Sequence, residues 1–350
     1  MIELKIGERI INDMSDCYVI AEIGHNHQGD LKKALEMIRR AHEVGCDAVK
    51  MQKRNNKSLF TKELYNSPYE NENSFGRTYG EHREALEFGR IEYTEMAQYA
   101  NSLGITFFAT PFDRDSADFL QFIGVPCFKT ASGDLTNIPL LRHIAEFNKP
   151  MFISTGGATL DMVRKAYEAV LELNPQICLL QCTASYPVLD FSELNLNVIN
   201  TYKRHFDCVV GLSAHDAGIA MAVVAYTLGA RVIEKHFTLS RVMKGTDHAF
   251  SLEPKGMERM IRDLKRARIA IGDGQKRIYP SELKPIKKMG KGCYAAVDLA
   301  KGVKLLPSHI AIKSPMADFL PYDAVKLIGR ELQADVKQDE PFTVGAIKNG

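Results

Sequence analysis

Short apolar runs alternate with amphipathic segments along most of the chain, a pattern that indicates repeated strand and helix units. Eight runs predict strands, at 18–23, 47–52, 105–109, 127–130, 150–154, 177–182, 208–212 and 231–236. Helical spacing appears between them at 31–44, 92–102, 114–122, 159–172, 217–228 and 254–270, with Asp30 and Thr159 as N-caps. The predicted fold is α/β, a parallel sheet closed into a (β/α)₈ barrel. A doubly wound open sheet is the alternative, but no GxGxxG motif follows the first strand.

Two segments depart from a simple barrel. Residues 53–90 form a polar insertion after the second strand, where a long loop either covers a substrate or is a disordered surface segment. After the last helix, 273–285 has the composition of a linker, and 286–350 contains short β-like pieces separated by Pro and Gly. The predicted domains are a barrel over 1–272, this linker, and a small β-rich domain that needs to dock because its core is small.

Composition excludes several classes of function. The chain has 350 residues, with 45 basic and 43 acidic side chains, which argues against a nucleic-acid or membrane partner. No apolar run is long enough to span a bilayer, and no signal-peptide core is present, so a cytoplasmic protein is expected. Seven cysteines without a CxxC pair predict buried, reduced thiols.

Two histidines, His215 and His236, each follow a short β-branched run. Neighbouring strand ends are where a (β/α)₈ barrel holds its active site, so the pair predicts two ligands of a divalent metal in an open site. Imidazole with oxygen donors suits Mn²⁺, Co²⁺, Fe²⁺ or Zn²⁺. Two hydrogen-bonded structural histidines are the alternative.

Further polar residues occur at the same level of the predicted strands. Two of them, Lys50 and Lys129, would repel each other unless an anion lay between them, which indicates a substrate with a carboxylate or phosphate. The turns at 132–134 and 154–157 precede helices, so their backbone N–H groups can bind phosphate. A metal acting as a Lewis acid on a carbonyl would complete a site that adds phosphoenolpyruvate to an aldehyde.

The strings AEIGHNHQGD, VKMQK, FKTASGD, ISTGG, LQCTASYP, GLSAHD, EKHFTL and KGTDHAFSLEP occur in this order. Together they resemble the sialic acid (N-acetylneuraminate or N-acetylneuraminate-9-phosphate) synthase family, which condenses phosphoenolpyruvate with an N-acylmannosamine. The resemblance covers essentially the whole chain, including a C-terminal module similar to type III antifreeze protein (an SAF domain). It implies a domain-swapped homodimer, and a reaction in which C3 of phosphoenolpyruvate attacks the aldehyde and phosphate leaves by C–O cleavage.

The resemblance also implies roles for individual residues. Glu22 is similar to the family's essential carboxylate, and the implied metal held by His215 and His236 is Mn²⁺, with Mg²⁺ or Co²⁺ as alternatives. The implied phosphoenolpyruvate ligands are Lys50, Lys129, Ser132, Ser154, Thr183 and Ser213. The implied sugar-binding residues are Gln52, Tyr186, Asp247 and, from the SAF domain of the partner chain, Lys291, which stands where many relatives have Arg.

Several alternatives remain at this level. The sugar is either N-acetylmannosamine, its 6-phosphate, or a different aldose such as mannose 6-phosphate. A second phosphate would have candidate ligands in the insertion, although these side chains also suit a solvated face: Lys53, Arg54, Lys57, Lys62, Arg77 and Arg83. Lys129 as the Schiff-base lysine of a pyruvate aldolase is a different mechanism. A sugar-binding or assembly protein that kept the fold is a non-catalytic alternative.

Overall fold

The computed structural model describes residues 2–348 and closes all eight predicted strands into one parallel barrel, as expected. The order around the barrel is β10-β3-β4-β5-β6-β7-β8-β9. The strands in chain order are β1 (Glu3–Ile6), β2 (Arg9–Asn12), β3 (Tyr18–Gly24), β4 (Ala48–Lys53), β5 (Thr106–Pro111), β6 (Phe128–Thr130), β7 (Met151–Ser154), β8 (Ile177–Cys182), β9 (Val209–Ala214), β10 (Val232–His236), β11 (Gly292–Ala295) and β12 (Ile310–Lys313).

Helices follow the barrel strands, and the predicted caps are confirmed. The Asp30 and Thr159 side chains accept hydrogen bonds from the first turns of α1 and α8. The helices are α1 (Leu31–Glu43), α2 (Asn56–Leu59), α3 (Lys62–Asn66), α4 (Tyr79–Glu84), α5 (Arg90–Leu103), α6 (Arg114–Ile123), α7 (Ile138–Ala145), α8 (Leu160–Leu171), α9 (Val198–His205), α10 (Ala220–Thr227), α11 (Pro254–Ile271), α12 (Pro280–Met289) and α13 (Ala324–Leu327).

Burial on both faces explains why the barrel strands have continuous apolar sequences. Every residue of β3, β7, β8, β9 and β10 is buried. The polar residues of these strands lie towards the carboxyl ends. The strand register places His236 beside Glu22, and Glu22 beside Lys50. Burying charged side chains costs free energy unless they are paired, so this end of the barrel is specialised for binding or chemistry.

An N-terminal hairpin that the sequence pattern did not predict covers the opposite end of the barrel. Strands β1 and β2 pair in antiparallel fashion, and Leu4, Ile6 and Ile11 join the main apolar core. Arg9 forms an ion pair with Asp47 at 3.5 Å, just before β4. The hairpin therefore lies at the amino ends of the strands, away from the polar residues.

The insertion at 53–90 is folded, so the alternative of a disordered surface segment is wrong. It contains α2, α3 and α4, and α4 begins with a capping box in which Thr78 and Glu81 satisfy each other's backbone N–H groups. The Tyr79 ring packs edge-to-face on Tyr69, with centroids 5.4 Å apart. This segment can therefore place side chains over the barrel.

A second compact unit begins at Asp273, immediately after the first unit ends at Gly272. The stretch predicted as a linker, 273–285, includes the first turns of α12, because the Pro at its first helical position starts a helix. Strands β11 and β12 pair in antiparallel fashion beside a separate apolar cluster that includes Leu305, Leu332 and Phe342. The cysteines are free and buried, as predicted.

Candidate active site

A cavity of about 510 Å³ opens at the carboxyl ends of the barrel strands. Its lining includes most of the residues predicted from the sequence. These are Glu22, Lys50, Gln52, Lys129, Ser132, Ser154, Tyr186, Ser213, His215, His236 and Asp247. Side chains from β3, β4, β6, β7, β9 and β10 thus converge, because parallel register brings the strand ends to one level.

Four buried charges form the floor of the cavity, and we call them the ionic centre: Glu22, Lys50, Lys129 and Glu234. Lys50 Nζ lies 2.6 Å from Glu22 and 3.7 Å from Glu234, and Lys129 Nζ lies 3.4 Å from Glu234. The sequence predicted a substrate anion between the two lysines, because their ammonium groups would otherwise repel each other. The structure corrects this reasoning. The protein supplies its own carboxylate, Glu234, at that position.

The two carboxyl groups of the ionic centre differ in their affinity for protons. Burial raises the pKa of Glu22, although the adjacent Lys50 opposes this effect. Burial would also raise the pKa of Glu234, but Lys129 and Lys50 together hold it below its ordinary value. Glu234 is therefore a fixed anion, whereas Glu22 is the stronger base.

Serine hydroxyls and backbone N–H groups line one side of the cavity. Ser132 Oγ accepts a hydrogen bond from the Gly156 N–H at 3.0 Å. A Cβ on Gly156 would lie 2.8 Å from that oxygen, so the turn requires glycine. The buried Ser154 hydroxyl meets no hydrogen-bond partner among residues 2–348. The Ser154 hydroxyl is thus available to a ligand, whereas the Gly156 N–H is already bonded to Ser132. The anion pocket stays a prediction.

The rings of His215 and His236 lie side by side, with centroids 5.4 Å apart. His215 Nδ1 is 2.9 Å from the carbonyl oxygen of Thr183 and donates to it, which leaves Nε2 with its lone pair. Burial lowers the pKa of His215 to about 4, and burial also lowers the pKa of His236. Both rings are therefore neutral near pH 7, the state in which imidazole binds a metal.

The donor set fits a metal ion with two protein ligands. His236 Nδ1 is buried, has no hydrogen-bond partner among the described residues, and lies 3.6 Å from Asp247 Oδ2. Within residues 2–348, no group of three or more His, Cys, Asp or Glu side chains is arranged to hold a metal. A metal here would complete its coordination with water or substrate, which is the open arrangement of catalytic sites.

Basic side chains also reach the cavity: Arg54 and Arg83 from the insertion, and His25 from the loop after β3. Arg54 is buried, stacks 3.6 Å over the Phe112 ring, and donates to Gln52 Oε1 at 2.7 Å. Arg83 also lines the cavity. Among the basic residues of the insertion, Lys57, Lys62 and Arg77 are exposed to solvent, as expected if they only form a solvated face. Arg54 and Arg83 are not exposed.

Two predicted site residues lie outside the cavity lining. Thr183 donates its hydroxyl to the carbonyl of Glu193 at 2.9 Å, so its side chain is committed elsewhere. Its carbonyl accepts from His215 Nδ1, and its role as a phosphoenolpyruvate ligand stays a prediction. Lys291 lies in the second unit, where its ammonium donates to Ser314 at 2.6 Å, and its role stays a prediction.

Several cavity residues, among them Glu234 and His25, were not predicted as site residues from the sequence. Glu234 could have been predicted from the sequence. It lies two residues before His236, which was already assigned to the site, and residues two apart on a strand point to the same face. His25 follows β3 in the string GHNH, where a strand-end position was also visible. Lys235, between Glu234 and His236, instead forms a buried ion pair with Asp216 at 2.8 Å, and neither lines the cavity.

Comparisons with known proteins identify relatives of this chain. The model of the NeuB family matches residues 37–276. N-acetylneuraminate-9-phosphate synthase of Homo sapiens is 38% identical over 343 residues, covering 97% of this chain and 95% of that protein. N,N'-diacetyllegionaminic acid synthase of Legionella pneumophila is 35% identical and covers 91% of each chain. The crystal structure of N-acetylneuraminic acid synthetase from Leptospira borgpetersenii superposes with a TM-score of 0.71 at 31% identity, over 81% of this chain and 95% of that one.

Proposed function

Because the chain belongs to the NeuB family, we propose that it condenses phosphoenolpyruvate with an N-acylmannosamine-type aldose to give a nonulosonic acid. The relatives described above are synthases of acids of this class. The observation that carries the proposal is one cavity that holds both a neutral histidine pair and a pair of buried lysines. The first suits activation of a carbonyl by a metal. The second offers ammonium donors to an enol phosphate, although Glu22 and Glu234 already balance the charge of the lysines.

The proposed phosphoenolpyruvate ligands are Lys50, Lys129, Ser132, Ser154 and Ser213. The Ser154 hydroxyl, which meets no partner among residues 2–348, would bind the anion directly, and the Ser132 hydroxyl would turn to it from Cys182 Sγ. Ser213 already donates to Glu234 at 3.1 Å and would hold that carboxylate between the lysines. Charge-assisted hydrogen bonds of this kind are stronger than neutral ones.

His215 and His236 would hold the divalent metal, with Mn²⁺ as the first candidate and Mg²⁺ or Co²⁺ as alternatives. When bound, the metal would supply Lewis acidity to the aldehyde oxygen of the sugar. Tyr186 packs on His215, with ring centroids 4.1 Å apart, and Asp247 contacts His236, so both would line the sugar pocket together with Gln52.

The reaction joins C3 of phosphoenolpyruvate to the aldehyde carbon, adds water at C2, and expels inorganic phosphate by cleavage of the C2–O bond. Glu22 would accept the proton of the added water, because its pKa is raised while that of Glu234 is lowered. That proton balances the one gained by the former aldehyde oxygen, which becomes a hydroxyl group of the product. Lys129 and Lys50 would stabilise charge on the departing phosphate. No redox partner is needed, since all atoms come from the two substrates and water.

A Schiff-base aldolase is the second candidate, because burial lowers the pKa of Lys129. The ion pair of Lys129 with Glu234 at 3.4 Å opposes it, since the charged ammonium is not a nucleophile. Borohydride trapping with pyruvate would modify Lys129 if the aldolase mechanism operates, and we expect no adduct.

The proposed function is tested by a product assay with phosphoenolpyruvate and a panel of mannosamine derivatives, with and without a 6-phosphate. We expect phosphate release that depends on the aldose and yields a nine-carbon keto acid. Phosphate release without an aldose requirement, or none with any member of the panel, would overturn the proposal.

We also propose a cytoplasmic, domain-swapped homodimer in which Lys291 of the SAF domain completes the partner's sugar site, as the family resemblance implies. The free, buried thiols suit a reducing compartment. The exposed ammonium of Lys291 would bind polar groups of the sugar, although without the planar fork of an arginine.

Mixing inactive His236→Ala chains with inactive Lys291→Ala chains is expected to restore about a quarter of wild-type activity, because half the dimers are mixed and each has one intact site. The measurement is turnover after subunit exchange, with Lys288→Ala, an exposed lysine of α12, as the control expected to be active alone. No recovery in a proven mixed dimer would assign Lys291 to its own subunit's site.

A further inference from the structure

The cavity contains a second cationic group, separate from the ionic centre, which we call the arginine cluster: Arg54, Arg83 and His25. Arg54 Nη1 lies 3.0 Å from His25 Nε2, and Arg83 Nη1 lies 3.3 Å from His25 Nδ1. A neutral imidazole has only one acceptor nitrogen, so it satisfies only one of the two guanidinium groups. Arg83 Nη2 donates to the Tyr79 hydroxyl at 2.8 Å, whereas the buried Arg83 Nε meets no partner among residues 2–348. The cluster therefore keeps hydrogen-bond donors available to a ligand.

Charge compensation distinguishes the arginine cluster from the ionic centre. In the ionic centre, two lysines face two carboxylates. In the arginine cluster, Glu87 lies 3.9 Å from Arg54 and is shared with Lys53 at 3.1 Å. Arg83 enters none of the ion pairs between described residues, and its buried Nε meets no hydrogen-bond partner among them. The Asp247 carboxylate, which lines the same cavity, also acts on Arg83 and His25. Three cations, Arg54, Arg83 and Lys53, therefore face two carboxylates, and positive charge is in excess on this side of the cavity.

The buried guanidinium of Arg54 remains charged, since burial lowers its pKa only to about 10. Burial of positive charge without a matching carboxylate is unfavourable unless an anion binds. The two guanidinium groups contact different nitrogens of one imidazole ring, so both can offer N–H groups to a single phosphate, which accepts several such bonds. The insertion supplies both arginines, which gives this folded segment a function in the site.

The position of the cluster fits the far end of a sugar. Gln52 donates to Glu22 at 2.7 Å and accepts from Arg54 at 2.7 Å, so one amide group and two hydrogen bonds separate the ionic centre from the cluster. That separation is comparable with an extended six-carbon chain. Asp247, which contacts His236, also lines the cavity, so the reacting end and the far end share one enclosure.

We infer that Arg54 and Arg83, with His25 between them, bind the terminal phosphate of a phosphorylated aldose. The inference rests on the proposed function and deepens it: the preferred sugar is a hexosamine 6-phosphate, and the product is a nonulosonic acid 9-phosphate. The unphosphorylated sugar would leave the cluster without its anion and would be the poorer substrate.

The test compares kcat/KM for N-acetylmannosamine 6-phosphate and for N-acetylmannosamine, at saturating phosphoenolpyruvate. We expect the wild type to prefer the 6-phosphate, and Arg83→Gln to reduce this preference about 30-fold, as the loss of a charged hydrogen bond implies. Arg83→Lys keeps the charge without the fork and should give an intermediate value. Arg77→Gln removes an exposed arginine of the same insertion and is the matched control.

Equal or better use of the unphosphorylated sugar by the wild type would overturn the inference, and so would an Arg83→Gln preference equal to that of Arg77→Gln. Calorimetric binding of N-acetylmannosamine 6-phosphate separates this result from failure of the proposed function. If no aldose is turned over, weaker binding to Arg83→Gln than to Arg77→Gln still supports the subsite, whereas absence of binding to the wild type refutes it.

Discussion

Replacing His236 or His215 with alanine is expected to lower turnover about a thousandfold, because each change removes a ligand of the proposed metal. Loss of Lewis-acid stabilisation worth about 4 kcal/mol corresponds to that factor. Chelation of the wild-type enzyme should produce the same loss, and added Mn²⁺ should reverse it. The measurement is kcat before and after dialysis against EDTA, with thermal unfolding to confirm that each variant is folded.

The control for this prediction is His42→Ala, which removes an exposed histidine of α1 and should retain full activity. Full activity of the wild type in excess EDTA after dialysis would contradict the metal assignment. If the pair were only structural, each alanine variant would lose stability, and metal would have no effect on either.

Replacing Glu234 with glutamine is expected to lower the free energy of unfolding by about 3–5 kcal/mol, the usual effect of leaving a buried charge without its partner. Lys129 at 3.4 Å and Lys50 at 3.7 Å would then face each other without a carboxylate between them. Added phosphate should stabilise Glu234→Gln more than the wild type, because the anion can take the place of the lost charge. Urea unfolding with and without phosphate measures both effects.

The matched control is Glu258→Gln, because Glu258 pairs with Lys255 on an exposed surface. Exposed ion pairs contribute at most about 1 kcal/mol, so this variant should be close to the wild type and insensitive to phosphate. Equal stability of the two variants would show that the lysines do not depend on Glu234.

Much of the barrel was predictable, because strands buried on both faces must be apolar along their length. The eight strands and the six helices named from the sequence are confirmed, whereas α7, α9 and the hairpin of β1 and β2 were not predicted. Each of its strands has only four residues, which mix polar and apolar side chains. Such short segments show too few repeats for the hydrophobic periodicity to indicate a strand. The helix that starts at Pro280 lies in a polar stretch whose composition resembles a linker.

Site residues could be predicted where their position at the end of a strand is enough to place them in the cavity. They could not be predicted where two segments distant in sequence must meet. His215 and His236 follow apolar runs, so fold class alone places them in the cavity. Glu234 neutralises lysines that come from β4 and β6, a relation that appears only after the barrel closes. Arg54 and Arg83 meet at His25 because the insertion folds back, which composition alone does not indicate.

The central claim is that this cavity joins phosphoenolpyruvate to an aldose by cleavage of the C2–O bond. Phosphoenolpyruvate labelled with ¹⁸O at the bridging C2–O position tests it most directly, when incubated with N-acetylmannosamine 6-phosphate and Mn²⁺. We expect the released inorganic phosphate to carry the label, seen by its isotope shift in ³¹P NMR, and the keto acid to carry none. Label retained in the organic product with unlabelled phosphate, or no aldose-dependent phosphate release, would contradict it.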